Sequence, residues 1–249
     1  WADRRLGRTD ANYREAWQML LDSVYTKSAA LGQAPLVNAR PSLKGHGNWT
    51  TNPAYHYNNA VLKQVWHKMT DAQPEFSKMT DAQRFDVVNI GRQCLSNDFM
   101  AWRDLFATAY EKSDTAQLQI IGNKMMYALE GLESLLGHHQ FFSFQKWIDN
   151  AEKFGKDADE KNYYRRNAAT LLTTWGETPQ SLNDYASRTW SGLLEGYYAK
   201  RWQMFVSDVI QAAKAGKLFD QKAFNAKMNE FQAAMGLCVL DHIDEIIDK

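Results

Sequence analysis

Leu118-Gln119-Ile120-Ile121-Gly122-Asn123-Lys124-Met125-Met126-Tyr127-Ala128-Leu129-Glu130-Gly131-Leu132-Glu133-Ser134-Leu135-Leu136-Gly137 is a stretch whose period settles the fold class. Leu118, Ile121, Met125, Leu129, Leu132 and Leu136 recur at steps of three and four, which stacks them on one helical face. Gly137 marks the expected stop.

The same period recurs on both sides. Upstream, Thr80 or Asp81 can cap a helix whose stripe is Phe85, Val88, Leu95, Phe99, Trp102 and Phe106. Residues 11–31 place Tyr13, Trp17, Leu20, Leu21 and Val24 on one side, with Gly32 as the stop. Downstream, 140–154 and 158–174 form two further helices. A long helix is expected from Ser181 to Ala215, about 50 Å at ~1.5 Å per residue. Its broad apolar face carries Trp190, Leu194, Tyr197, Tyr198, Phe205 and Val209, with Gly192 and Gly196 opposite, where another helix can approach closely. A last helix runs from Gln221 to Leu240. Residues 32–56 hold three Gly and three Pro and form the one long irregular connection. No segment alternates with the period of a strand. The expected architecture is all-α, a bundle of about seven to nine helices with one irregular loop near residues 32–56.

With 249 residues the chain can bury a sizeable core, as one large domain or two small ones. A formal net charge of +0 offers no attraction to nucleic acid or an anionic membrane. No apolar run approaches the roughly 20 residues of a membrane span. The two cysteines, Cys94 and Cys238, fall within helical patterns and are expected as buried free thiols. The chain opens at Trp1 with no Met and no signal peptide, so it is expected to be a fragment whose targeting segment lies elsewhere.

Motifs for chemistry are sparse. Glu130 and Glu133 precede His138-His139, but the di-iron pattern needs Glu-x-x-His with further inward carboxylates. Solvated helix-face acids and loop histidines are expected instead, with no metal and no cofactor. Nucleophile elbows, phosphate-cradling loops and Cys-x-x-Cys pairs are missing from the sequence. Asn48-Trp49-Thr50 fits a glycosylation sequon, relevant only in a secreted eukaryotic protein. The segment Lys68-Met69-Thr70-Asp71-Ala72-Gln73 recurs as Lys78-Met79-Thr80-Asp81-Ala82-Gln83, which reads as repeated helix-cap chemistry rather than a solenoid period.

One corner stands apart. Trp175-Gly176-Glu177 leads through Leu182-Asn183-Asp184-Tyr185 into Trp190-Ser191-Gly192-Leu193, Tyr197-Tyr198 and Arg201-Trp202. Physical chemistry leaves two readings open there. Trp175 and Tyr185 are core side chains at a helix–helix turn, or they form a lip offering flat faces to a pyranose ring. Asp184 and Glu177 would then accept sugar hydroxyls or cap the following helix.

This pattern resembles the C-terminal helical domain of the family 89 α-N-acetylglucosaminidases. Arg4-Arg5-Leu6-Gly7, Ala16-Trp17 with Leu20-Leu21 and Ser23-Val24-Tyr25, Arg40-Pro41-Ser42-Leu43 and Phe85-Asp86-Val87-Val88-Asn89-Ile90-Gly91-Arg92-Gln93 are similar too, over roughly residues 1–235. The resemblance implies that residues 1–249 are the C-terminal domain of a retaining exo-glycosidase that removes terminal α-linked N-acetylglucosamine. It places the two catalytic glutamates on a (β/α)-barrel domain of the same polypeptide, upstream of Trp1, so no catalytic residue is expected in this chain. It assigns Trp175, Leu182 and Tyr185 to one wall of the sugar pocket. It also implies a secreted or periplasmic enzyme, lysosomal if eukaryotic. The alternative is a stand-alone helical carbohydrate-binding or structural interaction module.

Overall fold

The computed structural model describes residues 1–26, 35–45, 55–175 and 184–247, with side chains through 234. Among these residues there are nine α-helices and no strand. Backbone pairing outside helices is limited to one isolated parallel bridge, Ser143 to Ser191.

The organising element is α4 (Asp81–Glu111), a 31-residue helix capped by Thr80, whose side chain accepts from Gln83 N. It serves two cores. One side contributes Val87, Ile90 and Cys94 to a cluster with α1 (Ala2–Leu6), α2 (Ala11–Leu20) and α3 (Asn59–Ala72). The other contributes Val88, Phe99 and Phe106 to the larger cluster. There it packs on α5 (Thr115–Leu136), whose six stripe residues are all buried. The hairpin of α6 (Phe144–Glu152) and α7 (Ala158–Leu172) joins them, with α8 (Lys200–Lys214) and α9 (Gln221–Ile247).

The repeated hexapeptide shows how context decides a cap. Its first copy ends α3, where Gln73 is extended (φ −154°, ψ 103°) because Pro74 follows. In its second copy Thr80 opens α4. Tyr13 and Arg5 both donate to the buried Asp86, tying α1 and α2 to α4.

Several expectations are corrected. The helix expected from Ser181 to Ala215 does not begin until Leu193; residues 184–192 run as turns and extended chain, and the first helical turns, Leu194–Ala199, are of the wide π type. Gly192 has φ +82°, a left-handed conformation that suits glycine, and it breaks the pattern there. Nothing lies within 4 Å of a Cβ placed on Gly196, so this pair is not a close-approach site. Helices meet tightly instead at Gly122, where a Cβ would stand 2.7 Å from Val206. Leu21 is exposed rather than core: it continues α2 one step past the buried Leu20, outside the face of Tyr13, Ala16 and Leu20, and a wide turn follows over Leu21–Tyr25. The described part of the 32–56 loop is not loose: Leu36–Asn38 form a short 3-10 turn buried in the main core. Cys94 is a buried free thiol; the Cys238 side chain and Asn48-Trp49-Thr50 lie outside the described residues.

Candidate functional site

The corner is built from the end of α7. Thr173 leaves the helix (φ −117°, ψ −87°), and Trp175 turns left-handed at φ 59° while its N–H donates to Thr170 O at 2.7 Å. Asp184 (φ 63°) and Ser187 (φ 45°) are left-handed too. Only one other non-glycine among the described residues, Ser113, shares this conformation, so backbone strain is concentrated here. The Asp184 N–H donates to Thr173 O at 2.7 Å and closes the corner. Residues 176–183, Glu177 and Leu182 among them, lie outside the described residues.

What holds the strained backbone is a buried ion pair. Arg201, fully buried on α8, donates from Nη1 to Asp184 Oδ2 at 2.8 Å and to the Tyr197 hydroxyl at 3.2 Å. Its Nη2 donates to the carbonyls of Asn38 (3.0 Å) and Ala39 (3.3 Å), satisfying the end of the 3-10 turn. The guanidinium also lies against the rings of Tyr197 and Tyr198, 4.4 and 5.0 Å from their centroids. The Asn38 amide pairs with the Thr189 hydroxyl, and Trp202 Nε1 donates to Val37 O at 3.0 Å. Burial pushes the Asp184 carboxyl above its usual range, with Arg201 opposing that shift. The guanidinium is desolvated as well, but the neighbouring Asp184 more than compensates and raises its pKa.

The earlier assignment of Asp184 to sugar hydroxyls or to a helix cap is therefore corrected. Its side chain is 1% exposed and paired, a structural anchor rather than a surface acceptor. Trp175 and Tyr185 differ: they are 38% and 45% exposed, which excludes both from the core. Their rings lie 4.6 Å apart at 56°. Beside them opens a cleft of about 440 Å³, within the size range of small-molecule sites. It is lined by Asn89 and Arg92 of α4, by Phe141 and Trp147, and by the strip Ala186–Trp190.

The Glu130, Glu133 and His138-His139 cluster holds no metal geometry; among the described residues no group of three potential ligands comes together. Glu130 is exposed, as expected, but Glu133 is not a solvated acid. Its Oε1 accepts from the Ser191 hydroxyl (2.6 Å) and Gly192 N–H (2.7 Å), and Oε2 from Glu195 N–H (3.1 Å). It thus caps from α5 the helical stretch opened by Leu193, whose first amides have no partner within that stretch. His139 is buried, not a loop surface residue, and its Nδ1 accepts from Phe141 N to shape the cleft wall.

Glu133→Ala is expected to destabilise the chain by about 1–2 kcal/mol, as for lost helix caps, measured by urea unfolding. Burial raises the Glu133 pKa despite its three donors. A raised carboxyl favours the fold below the ordinary carboxylate pKa and loses that contribution as pH rises through the folded value. The stability advantage of the wild type over Glu133→Gln should therefore shrink as pH rises from 4 towards 7.

Arg201, Asn38, Arg92 and Arg188 were not singled out from the sequence. The signal for Arg201 was present: it stands on the apolar stripe of Leu194, Tyr197, Tyr198 and Phe205, and a cation on such a stripe requires a buried acid. Asn38 and Arg188 gave no such signal, because their partners are 149 or more residues away or absent from the described chain.

The described residues thus form an all-α bundle with a half-exposed aromatic pair beside a cleft, and no acid among them lines that cleft. Residues 1–236 match the family model described as the alpha-N-acetylglucosaminidase (NAGLU) C-terminal domain. The chain belongs to that family, a family of glycoside hydrolases. The human alpha-N-acetylglucosaminidase is 27% identical over 242 residues, covering 95% of this chain and 31% of its own length. A Clostridium perfringens family 89 enzyme, solved with its substrate GlcNAc-alpha-1,4-galactose, superposes with a TM-score of 0.84 at 24% identity, covering 93% of this chain and 27% of that one. The structure of a Clostridium perfringens family 89 glycoside hydrolase bound to 2-acetamido-1,2-dideoxynojirmycin gives 0.83 at 26%, with the same coverage. This chain thus spans about a third or less of the length of these relatives. Among the described residues no helix is long and apolar enough to cross a membrane.

Proposed function

We propose that this chain, residues 1–249, is the C-terminal helical domain of a secreted or periplasmic, exo-acting, retaining α-N-acetylglucosaminidase. In that assignment it packs on the catalytic (β/α)-barrel domain and closes one wall of the pocket for terminal N-acetylglucosamine with Trp175, Leu182 and Tyr185. The carrying observation is the exposed Trp175–Tyr185 pair, with Trp175 and the neighbouring Asp184 on left-handed backbone and Asp184 held in a fully buried ion pair. Strain kept under such restraint is more economically explained by a functional surface than by a packing turn. The relatives' complexes with N-acetylglucosamine compounds support the choice of sugar.

Retaining hydrolysis needs two carboxyl groups flanking the glycosidic bond, one as nucleophile and one as acid/base. Among the described residues the cleft beside Trp175 has none in its lining. The domain therefore supplies binding and shape, and the chemistry belongs to the barrel. The purified 249-residue chain is expected to release no N-acetylglucosamine from an α-linked aryl substrate. Substantial release would overturn the assignment, and tight calorimetric binding of the free sugar would favour a stand-alone carbohydrate-binding module.

A further inference from the structure

The cleft beside Trp175 brings two guanidinium groups together, and among the described residues no acid lines it. Arg92 lines it from α4; Nη2 donates to Asn89 Oδ1 at 2.9 Å, and the guanidinium lies 5.7 Å from the Phe142 ring centroid. Its Nε is buried without a hydrogen-bond partner. Burial lowers the Arg92 pKa, and the charge of Arg188 on the rim lowers it further. Arg188 is exposed, and among the described residues neither arginine has an ion pair. Arginine groups with little exposure are ordinarily paired, and among the described residues this site gathers two cations and no anion.

The remaining lining indicates what completes it. Several polar groups of the lining are already engaged: Thr189 pairs with Asn38, Trp147 Nε1 donates to Ala168 O, and Asn89 Oδ1 accepts from Arg92. What is left on the rim is large apolar surface, with Phe141 60% and Leu171 43% exposed. Aromatic side chains with arginine, and few other charges, are the composition of protein–protein interface cores.

We propose that this cleft is an interdomain lock: a loop of the catalytic domain inserts an Asp or Glu side chain between Arg92 and Arg188, against Phe141 and Leu171. The lock rests on the assignment of this chain as a domain packed on a catalytic barrel. It fixes the barrel directly beside Trp175, so the pocket wall and the docking contact share one rigid corner.

The test compares Arg188→Gln in two contexts, the 249-residue chain and the complete enzyme. In the chain alone, removing a like charge beside Arg92 is expected to leave the melting temperature unchanged or raise it. In the complete enzyme it should lower the melting temperature by several degrees and speed protease cleavage between the domains several-fold. High salt should weaken the wild-type coupling more than that of the variant. Arg92→Gln, folded in the isolated chain, should repeat the pattern. Equal destabilisation in both contexts would reduce the arginines to a structural role and overturn the lock. So would an unchanged complete enzyme that loses kcat/KM only on acidic aglycones, which would mark a saccharide site. If the wild-type enzyme melts as two uncoupled domains, packing on the barrel fails and the lock with it. Coupled domains indifferent to both substitutions sink the lock alone.

Discussion

Arg201→Met is expected to destabilise the chain by about 3–5 kcal/mol, the usual consequence of leaving one member of a buried ion pair uncompensated. That is a large share of the roughly 5–15 kcal/mol by which domains are stable. The loss reaches beyond the Asp184 contact. Arg201 also satisfies the Asn38 and Ala39 carbonyls, so the 3-10 turn and the corner lose their common anchor. The pH dependence gives the cause away. Burial already raises the Asp184 pKa, and removing Arg201 takes away the largest influence opposing that rise. The variant's deficit should be smaller at acid pH, where Asp184 is protonated in the folded state, and grow as pH rises through its raised folded value. Adding Asp184→Asn, which keeps tolerance for φ 63°, should recover part of the loss. Urea unfolding of the single and double variants at pH 5 and 7 checks this, and additive losses would show that the two side chains are not coupled.

Trp175→Ala in the complete enzyme is expected to lower kcat/KM at least tenfold, a loss of ~1.4 kcal/mol or more of transition-state stabilisation. An indole offers a sugar ring a broad apolar face with a polar edge. Trp175 is poised for that contact: it is 38% exposed, and Tyr185 leans on it at 4.6 Å. Trp175→Phe keeps a smaller face and should fall between. Because Trp175 lies off the core, the alanine variant should keep the wild-type melting temperature within a few degrees. Unchanged kinetics in such a stable variant would remove Trp175 from the pocket wall.

The helices were legible in sequence where one face is apolar and the period unbroken. The stripe from Leu118 to Leu136 is buried at all six positions. Legibility failed where backbone geometry overrides the pattern. Trp190 to Tyr198 keeps a helical spacing of aromatics, yet Gly192 at φ +82° and the Ser143–Ser191 bridge hold its first part out of the helix. Leu21 was misplaced because an apolar side chain next to the buried Leu20 looks the same in sequence whether it faces the core or lies just outside the buried face. At the candidate site, the aromatic corner was visible as residue types. The role of Asp184 was not, because a carboxylate beside Tyr185 looks the same whether it faces solvent or an arginine 17 positions away. Glu133 was hidden likewise: its donors sit 58 to 62 residues downstream.

The most direct measurement of the central claim is a crystal structure of the complete enzyme bound to an N-acetylglucosamine-derived inhibitor. The pocket-wall assignment predicts heavy atoms of Trp175 and Tyr185 within about 4.5 Å of the sugar ring, the limit of van der Waals contact. Finding both side chains turned to solvent, or sealed against the barrel with the sugar bound elsewhere, would contradict it.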